Sequence, residues 1–226
     1  MLWVFGDSFT AEYHPVGDPK VHSYYDEYKE WRGGNLPDVW PTLLAKKLQT
    51  TVNNFGIGAG SNYTILHRFL DNVHNIKEND IVIIGWSQNI RYVAADFVFN
   101  ILTDMGPHTT TKNNANYSQN TCNEILLNRD HPAWIDEVHK WIKFIHMYCQ
   151  LKKIILINWS SDKNLNFDLI SNPPDNDLIY HINETLYDGK KISNIKDETG
   201  GVVNDGHHGE FGHKLMCEYF YNLIKN

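Results

Sequence analysis

The chain has 226 residues, 42% of them hydrophobic, and a formal charge of −7 at pH 7; chains of this size bury about 70% of their unfolded surface, so one domain is expected. Its 20 Lys and Arg are scattered rather than massed, which argues against a nucleic-acid partner, and no apolar run approaches the roughly 20 residues that cross a bilayer. Cys122, Cys149 and Cys217 are odd in number and form no C-x-x-C pair, so free thiols are expected rather than a disulfide framework or a zinc knuckle.

Residues 1–5, Met-Leu-Trp-Val-Phe, lack the basic start and small-residue cleavage site of a secretory leader. They read as a first strand, and a cytoplasmic location is the expectation. Further short apolar runs at 52–55, 81–84 and 154–157 end at Gly, Asn or Ser, the pattern of strands buried on both faces. Helices are predicted between them: 39–48 with Pro41 near its start, 61–76 with Ser61 as cap, 132–151, and a last one that aligns Phe211, Leu215, Tyr219, Phe220 and Leu223. Strands alternating with helices predict an α/β fold, a doubly wound and mostly parallel sheet of about five strands. The fifth strand is expected between 178 and 203, at Leu178-Ile179-Tyr180 or Gly201-Val202-Val203. Residues 11–38, rich in Tyr, His and Trp, and 106–128, rich in Asn and Thr, read as long loop insertions in this single domain of residues 1–226.

In an open parallel sheet the reactive groups gather at the carboxyl ends of strands. The first strand runs into Gly6-Asp7-Ser8-Phe9, where Ser8 sits where a helix could begin. Near the other end stands Asn204-Asp205-Gly206-His207-His208-Gly209-Glu210. A hydroxyl is a weak nucleophile until a base takes its proton and a third group fixes the base's tautomer. Asp205, three residues before His208, can direct its carboxylate at Nδ1 and leave Nε2 for Ser8. Two other readings stand beside this one: a metal held by His207, His208, His213 and Asp205, or a solvated His-rich loop. Adjacent His207 and His208 tend to point apart, which disfavours three convergent ligands, and neither metal nor cofactor is expected. Glu210 and His213 read as structural residues of the last helix.

These blocks resemble the SGNH (GDSL-type) hydrolases, with Gly-Asp-Ser after the first strand and Asp-x-x-His before the last helix. The resemblance spans nearly the whole chain and implies a three-layer α/β/α, flavodoxin-like fold and a serine esterase with Ser8, His208 and Asp205 as its triad. The family's second block, Asn-x-x-x-x-Gly, resembles Asn54 to Gly60. It implies a backbone oxyanion donor at Gly60, or at Ala59 in strict alignment. The third block, Gly-x-Asn-Asp, is replaced by Gly85-Trp86-Ser87-Gln88-Asn89, so Ser87 or Asn89 is expected to complete the oxyanion hole.

Tyr13 and Trp86 offer aromatic faces to a flat substrate, and an O-acetylated carbohydrate is the expected ligand; the competing reading makes such rings a satellite core. The acidic residues of 11–38 favour a neutral ester. An inactive carbohydrate-binding or structural module on the same scaffold, and a metal-dependent hydrolase built on the C-terminal histidines, are the alternatives.

Overall fold

The computed structural model of the chain describes residues 1–13, 23–58, 60–87, 91–94, 97–102, 106–109, 131–160, 179–181 and 194–225. The main sheet has five parallel strands: β1 (Leu2–Gly6), β2 (Val52–Gly56), β3 (Ile81–Trp86), β7 (Ile155–Ser160) and β8 (Ile179–His181), in the order β2-β1-β3-β7-β8. This is the flavodoxin-like order, whose switch point opens a crevice beyond the carboxyl ends of β1 and β3. The fifth strand is thus the first of the two expected segments.

Alternation along β1 explains the three layers, because successive strand side chains face opposite sides. Trp3 and Phe5 pack with Val82 and Ile84 beneath Ile65 and Phe69 of α3 (Asn62–Asn72) and Val138, Ile142 and Ile145 of α4 (His131–Leu151). Leu2 and Val4 face the other way with Ile83 and Ile157, covered by Trp40 and Leu44 of α2 (Trp40–Leu48) and Met216 and Phe220 of α6 (Glu210–Lys225). Both faces of β1 are buried, which is why it reads as an unbroken apolar run.

Local signals fix the helix starts. Ser61 caps α3 by accepting the Thr64 N–H, and Pro41 occupies the first turn of α2, where a missing N–H costs nothing.

The two segments read as loops contain regular structure. Residues 11–38 include α1 (Ser23–Trp31), and Tyr13, Tyr25 and Tyr28 are buried with Val39, Ile195 and Val203 in a third core cluster. Gly106–Thr109 is strand β6, paired antiparallel with β5 (Phe97–Leu102), itself antiparallel to β4 (Arg91–Ala94). This three-stranded sheet was not anticipated; residues 110–128 lie outside the described residues. A four-residue helix, α5 (Ile195–Glu198), precedes the histidine segment. No helix among the described residues is long and apolar enough to cross a membrane.

Candidate active site

Beyond Gly6 the chain turns once. The Asp7 carbonyl accepts the N–H groups of Thr10 and Ala11, each at 3.0 Å, and no helix begins at Ser8. The turn is held from several sides. Asp7 Oδ1 accepts the Phe9 N–H at 3.0 Å and Oδ2 accepts the Ser87 hydroxyl at 2.8 Å. The Trp40 indole donates to the Phe9 carbonyl at 3.0 Å, and the Asn54 amide donates to the Thr10 carbonyl at 2.9 Å. Gly56 lets β2 approach this turn, since a Cβ there would lie 2.4 Å from the Ala11 nitrogen.

Ser8, so presented, meets the C-terminal segment. Its Oγ lies 2.8 Å from His207 Nε2, and His207 Nδ1 lies 2.6 Å from Asp205 Oδ1. Partner chemistry assigns the tautomer: an ionised carboxylate only accepts, so Nδ1 carries the proton and Nε2 is the acceptor facing the hydroxyl. Asp205 Oδ1 also accepts the His207 backbone N–H at 3.0 Å, and Asp205 is only 7% exposed. The Lys196 and Ile195 N–H groups hold the Asp205 and His207 carbonyls at 2.9 and 2.8 Å, and an antiparallel bridge joins Asn194 to His208.

The ring that faces Ser8 is therefore that of His207, where the sequence pointed to His208. In the extended backbone that pairs with Asn194, neighbouring side chains face opposite ways, so with His207 toward Ser8, His208 turns inward. Its ring packs against Phe9 and His213 at 5.1 and 5.6 Å between centroids, and its Nε2 is buried without a hydrogen-bond partner among the described residues. Burial, with His207 nearby, pushes its pKa from 6.5 down to about 4. His213 accepts the Trp40 N–H on Nδ1 at 3.2 Å, and burial holds it well below its ordinary value. Both are neutral packing groups. Among the described residues no group of three or more His, Cys, Asp or Glu is placed to hold a metal ion.

The residues expected around the oxyanion fare differently. Ser87 is fully buried; its hydroxyl goes to Asp7, and its N–H and carbonyl both pair with the Asn62 side chain at 2.7 and 3.1 Å. It ties the end of β3 to the Ser8 turn. Gly60 lies beside that turn, a Cβ on it reaching 3.5 Å from Asp7 Cα, and its N–H is donated to the Ile57 carbonyl at 3.1 Å. Asn89 and Ala59 lie outside the described residues.

Neither aromatic residue expected to bind substrate is exposed. Trp86 is 1% accessible and donates its indole N–H to Asn158, and Tyr13 is walled in by Tyr25, Tyr28 and His213. The satellite-core reading holds for Tyr13.

Two residues hold contacts the sequence did not point to, Asp7 as the strut of the turn and Asn62 as the clamp on Ser87, and the ring of Tyr25, one of the aromatic residues of 11–38, stands edge-on to His207 at 6.0 Å between centroids.

Residues 2–89 match the family described as GDSL-like Lipase/Acylhydrolase. The match covers the first part of the chain, less than half of it, and ends well before Asp205 and His207. Among solved structures, the chain is similar to a protein assigned to the lipolytic G-D-S-L family from Desulfitobacterium hafniense DCB-2. The two are 16% identical over 98% of each chain, with a TM-score of 0.52, a likeness of fold. A G-D-S-L family member from Veillonella parvula DSM 2008 aligns over 100% of this chain and 98% of its own at 14% identity and a TM-score of 0.48. No curated protein matches the sequence.

Proposed function

We propose that this chain, like the GDSL-type hydrolases its first 89 residues resemble, hydrolyses a carboxylic ester by acyl transfer, with Ser8 as nucleophile, His207 as general base and Asp205 as the acid that orients it. The observation that carries the reading is the continuous contact of Ser8, His207 and Asp205 at 2.8 and 2.6 Å between segments 199 residues apart in sequence.

As Ser8 Oγ bonds to the ester carbonyl carbon, its proton passes to His207 Nε2. The imidazolium so formed is stabilised by the Asp205 carboxylate and returns the proton to the alkoxide as it leaves. Water repeats the cycle: it loses a proton to His207, attacks the acyl carbon and releases the acid, and Ser8 recovers its proton.

A neutral acyl group such as O-acetyl on a carbohydrate is the substrate class we propose. Its support is charge: Asp7, Asp205 and Glu12 flank the turn and disfavour an anion. Trp86 and Tyr13 no longer contribute, both being buried. The inactive-module reading is favoured by one observation, the withdrawal of Ser87 into the Asp7 contact.

Ser8→Ala separates the two. Fluorophosphonate labelling and p-nitrophenyl acetate turnover should be present in the parent and absent in Ser8→Ala, with the thermal transition unchanged. A parent that neither labels nor turns over acetate supports the inactive module, and turnover surviving in Ser8→Ala removes Ser8 from the chemistry.

A further inference from the structure

We infer that Glu198, four residues beyond Asn194 on the segment that pairs with the histidine strand, is a positioning residue for His207; the inference rests on the triad reading above. Helix α6 begins directly after the histidines, and the first N–H groups of a helix lack partners within it. Gly209, just before this helix, has no side chain to cap it. The cap comes from α5 instead. Glu198 Oε2 accepts the Glu210 N–H at 2.9 Å and Oε1 accepts the Phe211 N–H at 2.6 Å. The Tyr28 hydroxyl of α1 donates to the same Oε2 at 2.8 Å, so a third element is tied to the junction. Gly209 is required by this arrangement, because a Cβ there would lie 2.2 Å from the Glu198 carboxyl carbon.

The same short helix holds the other side of the segment. Its first N–H groups, from Ile195 and Lys196, bind the His207 and Asp205 carbonyls. Residues 205–211 are thus gripped twice by residues 195–198: at the start through main-chain N–H groups, at the end through one carboxylate. His207 lies between the two grips. A carboxylate at a helix N-terminus is favoured by the helix dipole, and Arg32 and Lys214 bind the neighbouring Glu210 at 2.6 and 2.7 Å and keep that added negative charge balanced. Releasing the second grip frees the chain just beyond His207. The ring then no longer spends its time within reach of Ser8, and a misplacement of about 1 Å at a catalytic group costs on the order of 10²-fold in rate.

The test uses the full chain as Glu198→Ala and Glu198→Gln, with His207→Ala alongside, each shown by circular dichroism to be fully folded at the assay temperature. The readouts are the rate of fluorophosphonate labelling of Ser8 and the kcat and KM for p-nitrophenyl acetate. Glu198→Ala is expected to slow labelling and kcat by about 10–100-fold with KM little changed, and Glu198→Gln, which keeps one acceptor oxygen, to fall between Ala and the parent. A folded Glu198→Ala that labels at the parent rate overturns the inference and leaves Glu198 a stabilising cap only. Should Glu198→Ala fail to fold, Glu198→Gln decides, the parent rate again overturning it. Loss of labelling in His207→Ala beside full labelling in Glu198→Ala rejects Glu198 alone, whereas full labelling in His207→Ala rejects the triad reading itself.

Discussion

Asp205 meets His207 twice, through the backbone N–H and through ring Nδ1, and both contacts use the same oxygen, Oδ1. That geometry needs an acceptor and a charge. In Asp205→Asn the side chain keeps its shape but loses its charge, and an amide N–H turned toward the ring would force the proton onto Nε2, the atom that must accept from Ser8. The expected outcome is a fall in kcat of about 10²–10⁴-fold with a parent-like circular dichroism spectrum, measured on p-nitrophenyl acetate; a parent kcat would remove Asp205 from the mechanism. That the Ser8 and Asp205 segments would meet through an imidazole was legible in the sequence, because a serine after the first strand and an acid-histidine block before the last helix arrive at one end of a parallel sheet. Which histidine supplies it was not. Asp-x-x-His spacing pointed to His208, and the choice between two adjacent rings depends on which face of an extended strand looks at Ser8. A pairing with Asn194, remote in sequence and in a segment with no strand pattern, makes that choice.

The turn that carries Ser8 depends on close backbone approach rather than on side-chain packing. At Gly56 a new Cβ meets main chain at 2.4 to 2.7 Å, from Ala11 and Thr10, and main chain cannot swing aside as a side-chain tip can. Gly56→Ala should therefore destabilise the protein by about 1–3 kcal/mol, the usual cost of overpacking, and should also slow Ser8 labelling because the displaced residues belong to its turn. Urea denaturation and labelling rate check the two effects together; a variant of parent stability would contradict the fit.

The buried strands and the amphipathic helices α2, α3, α4 and α6 were legible because one apolar stripe or run sufficed to define them. Helix α1 was hidden by its composition: Ser-Tyr-Tyr-Asp-Glu-Tyr-Lys-Glu-Trp reads as polar, although Tyr25 and Tyr28 share a face at three-residue spacing and bury together. In β5, Phe97, Phe99 and Ile101 recur at every second position, a strand signal carried by alternation rather than by a continuous apolar run.

Across the molecule, two faces of one sheet and a satellite cluster lock together around histidines that must stay neutral. His208 is held at about 4 and His213 well below its ordinary 6.5, both chiefly by burial. Between about pH 6.5 and 4 the unfolded chain binds protons at these positions that the folded chain refuses, so stability falls as the pH falls through that window and is insensitive to these groups above it. Calorimetry at pH 7, 6 and 5 should show a falling Tm, and a Tm that rises toward pH 5 would contradict the buried neutral pair.

The fold and the proposed triad share one requirement, that the segment after β1 and the segment before α6 arrive at the same place with one ring between them. His207→Ala and His208→Ala compare the two rings directly. With each variant shown to be folded, kcat/KM for p-nitrophenyl acetate should drop by about 10³-fold or more in His207→Ala and remain within a few-fold of the parent in His208→Ala. The reverse order, with His208→Ala inactive and His207→Ala active, would contradict the account.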